Sequence, residues 1–360
     1  MKKIGKEVLF LAVDDICKRN GEGAFIRLKD NSIMFAYSEF IGESWADHSE
    51  AVISAYFSYD EGETWTNKKV LAKRADDAEN VMSVSLLRMN NGELGLFYGQ
   101  KKLIDDKMNV EYILTRSADE GMTWSAPNVC IPPVSYRISN NDRVMRLQSG
   151  RIVLPISLGE TKKGELYKLD PGIISVFYSD DDGITWQEGQ RINRIFENDR
   201  FGLQEPGVYQ HEDGSLRMWC RTFLGFQYEA FSSDEGETWS AIQPNYCFAS
   251  PMAPMQMKKV GEYTVSIFNP IPYPSPFIKD EAKEVHRSGR TPFICAVSEN
   301  DGEHFTKAYY LEDDLTNAYC YPAIFDGDSY FLTAYYHSNN TENELSSLKI
   351  VKVSYDELMS

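Results

Sequence analysis

The octapeptides SYDEGETW (58–65), SADEGMTW (117–124), SDDDGITW (179–186) and SSDEGETW (232–239) share the pattern Ser-x-Asp-x-Gly-x-Thr-Trp, and SENDGEHF (298–305) is a degenerate fifth copy. Recurrence of this kind marks a structural repeat. With Asp60, Asp119, Asp181, Asp234 and Asn300 as equivalent positions, the copies lie 59, 62, 53 and 66 residues apart. Each interval has room for about four short strands and their turns, the size of one propeller blade. An apolar alternating stretch precedes each copy, as in AVISAYF (51–57) or IISVFY (173–178), and predicts a strand running into a tight turn. In that turn the Asp accepts amide hydrogen bonds, the Gly takes a positive φ and the Trp packs between neighbouring sheets. These aspartates read as turn formers, in preference to calcium ligands or catalytic groups.

A second repeated element lies upstream of each box: an apolar strand, a turn of Asp-Gly or Asn-Gly type, and another apolar strand. Examples are IRLKDNSIMFAYS (26–38), LLRMNNGELGLFYG (86–99), MRLQSGRIVLPIS (145–157) and YQHEDGSLRMWCR (209–221). Together the two elements give blades near 20–70, 78–130, 137–194, 202–248 and 250–312. The remaining stretch, Ala318 to Tyr355, holds three strand-like runs, including YFLTAYYH (330–337) and LKIVKVSY (348–355), and no box. Its missing fourth strand is supplied by the run from Glu7 to Val13, which closes the ring and leaves no open sheet edge. The expected fold is all-β, a six-bladed β-propeller with residues 1–360 as a single domain.

Composition agrees with a globular chain that buries a large core: 42% hydrophobic, 13% aromatic and 25% charged. A formal net charge of −17 disfavours nucleic-acid or anionic-membrane binding through a basic surface, so an anionic ligand requires a local basic pocket. No apolar run approaches the roughly eighteen residues of a membrane span. Glu7 interrupts the first apolar stretch and no cleavage site follows, so the N-terminus is read as mature. Cys17, Cys130, Cys220, Cys247, Cys295 and Cys320 are scattered, without a Cys-x-x-Cys pair or clustered His partners. Zinc is therefore not expected, and reduced thiols in a cytoplasm are.

In a meandering four-stranded blade, the start of the innermost strand and the loop between the second and third strands share one face, while the third-to-fourth turn lies opposite. The boxes thus mark one face and the other collects candidate site residues. Arg19 and Glu22 precede the first strand of blade 1, and its loop IGESWADHSE (41–50) carries Asp47 and His48. Glu205 opens blade 4, and Arg221 ends that blade's second strand. Blade 5 has a long loop ending in Arg290, blade 6 opens with Tyr319 and Tyr321, and blade 3 opens with NNDRVMRL (140–147), placing Asp142 and Arg143 near the mouth. Arginine forks suit a carboxylate, nearby carboxyl groups serve as acid or base, and a tyrosine activated by a Glu is a neutral nucleophile that an anionic sugar does not repel. His48 is expected beside the site, not as an acid or base. His286, Lys279 and Lys283 are expected on a solvated loop, and the segment Pro270 to Phe277 as loop packing or a platform for a leaving-group sugar.

On the boxes and on RNGEGAFIRLKD (19–30), SWADHSEAVI (44–53), EPGVYQHEDGSLRMWCRT (205–222), GRTPFICAVSENDG (289–302) and YCYPAIF (319–325), the chain resembles the sialidase (neuraminidase) superfamily, in particular bacterial sialidase-like proteins with Asp-box repeats. The resemblance implies that Arg19, Arg221 and Arg290 clamp a sialic acid carboxylate, that Asp47 is the acid/base, and that Tyr321 with Glu205 is the nucleophile pair. Tyr319 and Tyr321, two apart, share a strand face and compete for that role. Asp142 and Arg143 either read a substituent of the sugar or form a salt bridge. Active sialidases usually carry Arg-Ile-Pro where this chain has Arg19-Asn20-Gly21. The function implied is an exo-acting, retaining glycosidase that releases a terminal sialic acid or related carboxylated sugar, with a sialylated or other acidic glycan as partner and no metal or nucleotide cofactor. The alternatives are a hydrolase of another acidic or neutral sugar and a non-catalytic glycan-binding propeller.

Overall fold

In the computed structural model, residues 1–162, 170–193, 202–272, 286, 288–339 and 345–359 are described. Six antiparallel blades form a propeller. Blade 1 runs through Arg19–Arg27, Ile33–Phe40, Ala51–Ser58 and Thr66–Lys73, and blade 2 through Asn80–Arg88, Leu94–Ile104, Lys107–Ser117 and Asn128–Ile131. Blade 3 has a broken inner edge, Tyr136–Ile138 and Met145–Arg146, both paired with Ile152–Lys162, followed by Asp170–Ser179 and Gln187–Glu188. Blades 4 and 5 are Gln204–Gln210, Leu216–Arg221, Phe226–Ser232, Gln243–Ala249 and Gln256–Val260, Tyr263–Phe268, Phe293–Ser298, Lys307–Glu312. Blade 6 is Asn317–Asp326, Tyr330–Asn339 and Ser347–Ser354, and the N-terminal strand Lys6–Leu11 pairs antiparallel with the last of these as its outer strand. The ring closes through the N-terminus as the sequence predicts. A short helix, Tyr355–Met359, follows blade 6 and has no counterpart in the strand pattern. Blades 2 and 3 are also joined by pairing of Thr161 with Met108 and Lys162 with Lys107.

The core lies between neighbouring sheets. Met34, Ile53, Val81 and Leu96 interlock between blades 1 and 2. Phe25, Phe35, Leu332 and Ile350 do the same between blades 6 and 1, and Phe293, Tyr319, Tyr335 and Val353 between blades 5 and 6. Both faces of most strands are therefore apolar, which gives the near-continuous hydrophobic runs seen in the sequence.

Each box is a closed hydrogen-bond circuit at a third-to-fourth turn. In the first, Ser58 Oγ donates to Asp60 Oδ1 (2.9 Å) and accepts from the Gly62 amide (2.8 Å). Asp60 also takes the Thr64 amide (2.9 Å) and hydroxyl (2.6 Å). The same bonds recur around Asp119, Asp181 and Asp234. In the fifth copy Asn300 keeps the circuit through the His304 amide and ring. The residue before each box Gly is left-handed too, from Glu61 (φ 57°) to Asp301 (φ 56°). Glu61, Glu120 and Asp182 bond Arg27, Arg88 and Arg146 respectively, each from an inner-edge strand of the same blade.

Because the Ser58 hydroxyl is wholly buried and serves the Gly62 amide, Ser58→Ala strands that amide. A loss of about 1–3 kcal/mol in unfolding free energy is expected, read from denaturant midpoints, and an unchanged midpoint contradicts the circuit. Hydrogen bonds from the Thr185 hydroxyl and amide hold Asp181 down at about 2. A depressed carboxyl stabilises the fold above its unfolded value and loses that contribution as pH falls through the folded one. Asp181→Ala should therefore lower the melting temperature at neutral pH, with the difference from wild type shrinking between about pH 4 and pH 2.

Candidate active site

The site is built on a distortion of the innermost strands. Glu22 (φ 54°), Ser83 (φ 63°), Glu205 (φ 49°) and Tyr321 (φ 58°) are left-handed. Each sits in a slip of register against its second strand, at Gly21/Ala24, Met82/Ser85, Gln204/Gly207 and Cys320/Ala323. These are β-bulges, which set two residues against one and re-aim side chains. Serines of the preceding blade take the bulge amides: Ser38 Oγ accepts from Ser83 N (3.0 Å) and Ser157 Oγ from Glu205 N (2.6 Å).

Seven of the predicted residues come together at the channel mouth. Tyr321 donates its phenol to Glu205 Oε1 (2.7 Å), and Arg221 bonds Glu205 Oε2 (2.6 Å) and reaches the Tyr321 oxygen at 3.4 Å. The Arg290 guanidinium lies over the Tyr321 ring, 5.6 Å from its centroid. Across the mouth Arg19, 1% exposed, pairs with Asp47 and with Glu22 Oε1 (2.6 Å). Tyr336 joins the halves: its oxygen accepts from Arg19 Nε (2.7 Å) and its ring meets Tyr321 edge-on at 5.7 Å. Gly21 makes room for Tyr336, since a Cβ there falls inside the Tyr336 ring. That contact accounts for the glycine at this position.

Burial pushes the Tyr321 phenol well above the usual tyrosine range, and the Glu205 charge reinforces this. Burial also pushes Glu205 up, but Arg221, the Tyr321 hydrogen bond and Arg290 prevail and hold it below the usual carboxylate range. At rest the proton therefore sits on tyrosine. Asp47 is likewise raised by burial and held down at about 2 by Arg19 and Lys101. The half-buried His48 is lowered to about 4, first by burial and then by Lys101, and is neutral at pH 7.

Tyr319 does not reach the site. It is fully buried between blades 5 and 6, stacked on Phe293, with its hydroxyl 3.3 Å from the Asp314 carbonyl. The expectation that residues two apart share a face fails because the bulge at Tyr321 turns the strand between them. Asp142 and Arg143 also have another duty. Segment 139–144 of blade 3 crosses beneath the site as a floor: Asn141 donates to Gly23 O (2.9 Å), and Arg143 to Met255 O (2.6 Å) and Gln256 Oε1. Asp142 accepts from Lys258 (3.0 Å) and from the Ile324 amide (3.0 Å). Both side chains bind protein across the channel: Asp142 takes the salt-bridge alternative, with Lys258, and Arg143 bonds neutral oxygens, so the alternative that the pair reads the sugar is corrected. His286, expected on a solvated loop, is fully buried, with Nδ1 2.9 Å from Ser288 Oγ. Lys279, Lys283 and the stretch 273–277 lie outside the described residues.

Sequence reasoning missed Lys101, Asn80 and Tyr336. Lys101 lies near the end of the second strand of blade 2 and Tyr336 near that of blade 6, the position that singled out Arg221, so the same rule applied to every blade finds them.

An Asp-box propeller with arginines, paired carboxylates and a Tyr–Glu pair at its mouth is a sialidase-like protein. The chain belongs to the BNR repeat-like domain family, whose model matches residues 33–332. It is 26% identical over 308 residues to a sialidase of Paraclostridium sordellii, covering 79% of this chain and 66% of that protein. With a sialidase of Clostridium perfringens it is 23% identical over 248 residues, 61% of this chain and 60% of the other. The chain thus spans less than two thirds of the length of these curated relatives. Among solved structures, the intramolecular trans-sialidase of Ruminococcus gnavus in complex with oseltamivir carboxylate superposes with a TM-score of 0.72 at 12% identity, covering 98% of both chains. The NanB sialidase of Streptococcus pneumoniae gives 0.72 at 12% identity, over 98% of this chain and 71% of that one.

Gly21→Ala should force Tyr336 away from Arg19 and cost about 1–3 kcal/mol through overpacking. Thermal melting checks this, and a midpoint equal to wild type contradicts the close approach.

Proposed function

We propose that the protein is an exo-acting, retaining glycosidase that releases a terminal sialic acid or related carboxylated sugar. The observation that carries the reading is the Tyr321–Glu205–Arg221 chain with Arg290 over the tyrosine ring. A buried phenol hydrogen-bonded to a carboxylate and flanked by cations is an activated neutral nucleophile. The arginines offer planar forks to a sugar carboxylate. Tyr321 Oη attacks the anomeric carbon while its proton passes to Glu205, and Asp47 protonates the departing glycosidic oxygen. Water then attacks the glycosyl-tyrosine, giving its proton to Asp47, and the released phenolate recovers its proton from Glu205. Two displacements at one carbon retain configuration. Substrate binding also serves the first step: a carboxylate on Arg221 and Arg290 offsets the charges that keep Glu205 a weak base.

Tyr321→Phe should abolish most turnover, and a fluorinated sialic acid should leave an adduct on the peptide carrying Tyr321 in the wild type. Tyr319→Phe should turn over normally. Product of inverted configuration with no adduct would reject the retaining mechanism, whereas sugar binding without release from any acidic glycoside favours a glycan-binding role. Arg221→Lys should weaken both binding and turnover despite conserved charge, because a fork becomes a point donor; intact kinetics remove Arg221 from the clamp.

A further inference from the structure

The acid of this reading is occupied in the resting protein. Arg19 donates through Nε to Tyr336, through one terminal nitrogen to Glu22, and through the other to Asp47 and to the Trp45 carbonyl at 3.4 Å. These bonds leave it no pair of adjacent N–H groups, so a two-pronged grip on an entering carboxylate requires one acceptor to leave. Glu22 is held by its bulge and by the Ser83 hydroxyl (2.5 Å), and Tyr336 is wholly buried. Asp47 lies on a loop, and its side chain is 16% exposed against 3% for Glu22. Asp47 is the partner that yields.

Its main chain is fixed separately. Asn80 Nδ2 (2.6 Å) and Lys101 Nζ (2.7 Å), both from blade 2, donate to the same Asp47 carbonyl oxygen. Both side chains are buried. Among the described residues Lys101 makes no salt bridge: Asp47 and Glu22 act on its charge from farther off, its ammonium lies 5.9 Å from the Tyr136 ring centroid, and Asn80 Oδ1 has no hydrogen-bond partner. Burial pulls the Lys101 ammonium below its usual range despite the charges of Asp47 and Glu22, so holding it there is costly to the fold and stability alone does not explain the pair.

We propose that Lys101 and Asn80 are positioning residues for proton transfer: they pin the Asp47 main chain while the carboxylate of the entering sugar takes the place of the Asp47 side chain on Arg19 and frees it to face the leaving oxygen. The inference rests on the glycosidase reading above. Among the described residues, the groups facing Asp47 include Arg19 and Glu22 from the first strand of blade 1, Lys101 from blade 2, Tyr136 from blade 3 and His48 on its own loop. Once the substrate carboxylate shares the Arg19 charge, the carboxyl of Asp47 titrates upward and becomes a usable acid at the pH of turnover. Lys101 still opposes protonation, so its removal moves the basic limb of the rate profile to higher pH.

The test compares wild type, Lys101→Met and Asn80→Ala on a sialoside with an alkyl leaving group and on one with an activated phenol that departs without an acid. For both variants kcat should fall about 10-fold or more on the alkyl substrate and less than about 3-fold on the aryl one, with KM little changed, since acid catalysis contributes about 10²–10⁴-fold. In Lys101→Met the basic limb of kcat should also move up. Equal losses on both substrates with an unmoved pH profile would overturn the positioning role while leaving the glycosidase reading intact. A folded wild type inert towards both substrates rejects that reading, and this inference with it. If the variants do not fold, wild type still decides: binding of an unsaturated sialic acid analogue without a leaving group should take up a proton in calorimetry across buffers, Asp47→Asn should not, and no uptake by wild type overturns the exchange.

Discussion

A left-handed residue that is not glycine costs about 1–3 kcal/mol, and the mouth of this propeller is organised around a ring of them. Without the bulges at Glu22, Ser83, Glu205 and Tyr321 each inner strand would keep strict alternation, and the chain would present Tyr319 and Tyr321 on one face. With them, Tyr319 stays in the core between blades 5 and 6 while Tyr321 enters the channel. The surroundings enforce this strained backbone: Ser38 and Ser157 hold bulge amides, and Asn141 Nδ2 lies 3.4 Å from the Tyr321 carbonyl, reaching it from the floor. The Asp boxes do comparable work on the opposite face, where left-handed pairs at the turns are held by Ser and Asp side chains. One face of the molecule is thus rigid by local circuits, and the other by contacts between blades.

The fold was legible because the box repeats with its chemistry intact: Ser, Asp, Gly and Thr are each needed by a bond in the circuit, so the pattern survives where the intervening strands diverge. The missing fourth strand of the last blade was legible for the same reason, since a ring with an open edge is not a stable end point. The arginines and Asp47 followed from topology, which says which strand ends share a face. Other features depend on backbone dihedrals and on partners far apart in sequence. No local pattern announces that Asn140-Asn141-Asp142-Arg143 leaves its blade to cross the channel, because its partners, Gly23, Gln256 and Ile324, lie more than a hundred residues away. Lys101 was hidden by composition: a lysine in QKK reads as solvated, and only the count along the strand shows that it ends inside the mouth.

The charge of the site answers the charge of the chain. A protein with a formal charge of −17 repels an anionic sugar at long range, but salt confines that repulsion to about 10 Å at 0.1 M ionic strength. Within that distance the mouth holds Arg19, Arg221, Arg290 and Lys101 against Glu22, Asp47 and Glu205, an excess of one positive charge, with Arg143 adding to it from below. A buried guanidinium is stabilised by a counter-ion at rest, because a charge left alone in such a place costs several kcal/mol. Asp47 and Glu22 are that counter-ion for Arg19, and Glu205 for Arg221. On the glycosidase reading proposed above, this positive excess favours an incoming carboxylate, which relieves the arginines and loosens their hold on Asp47 and Glu205. On the same reading a neutral sugar of the same shape brings no such exchange: it would leave Asp47 on Arg19 and Glu205 on Arg221, so discrimination between the two would rest on the chemical step as well as on binding.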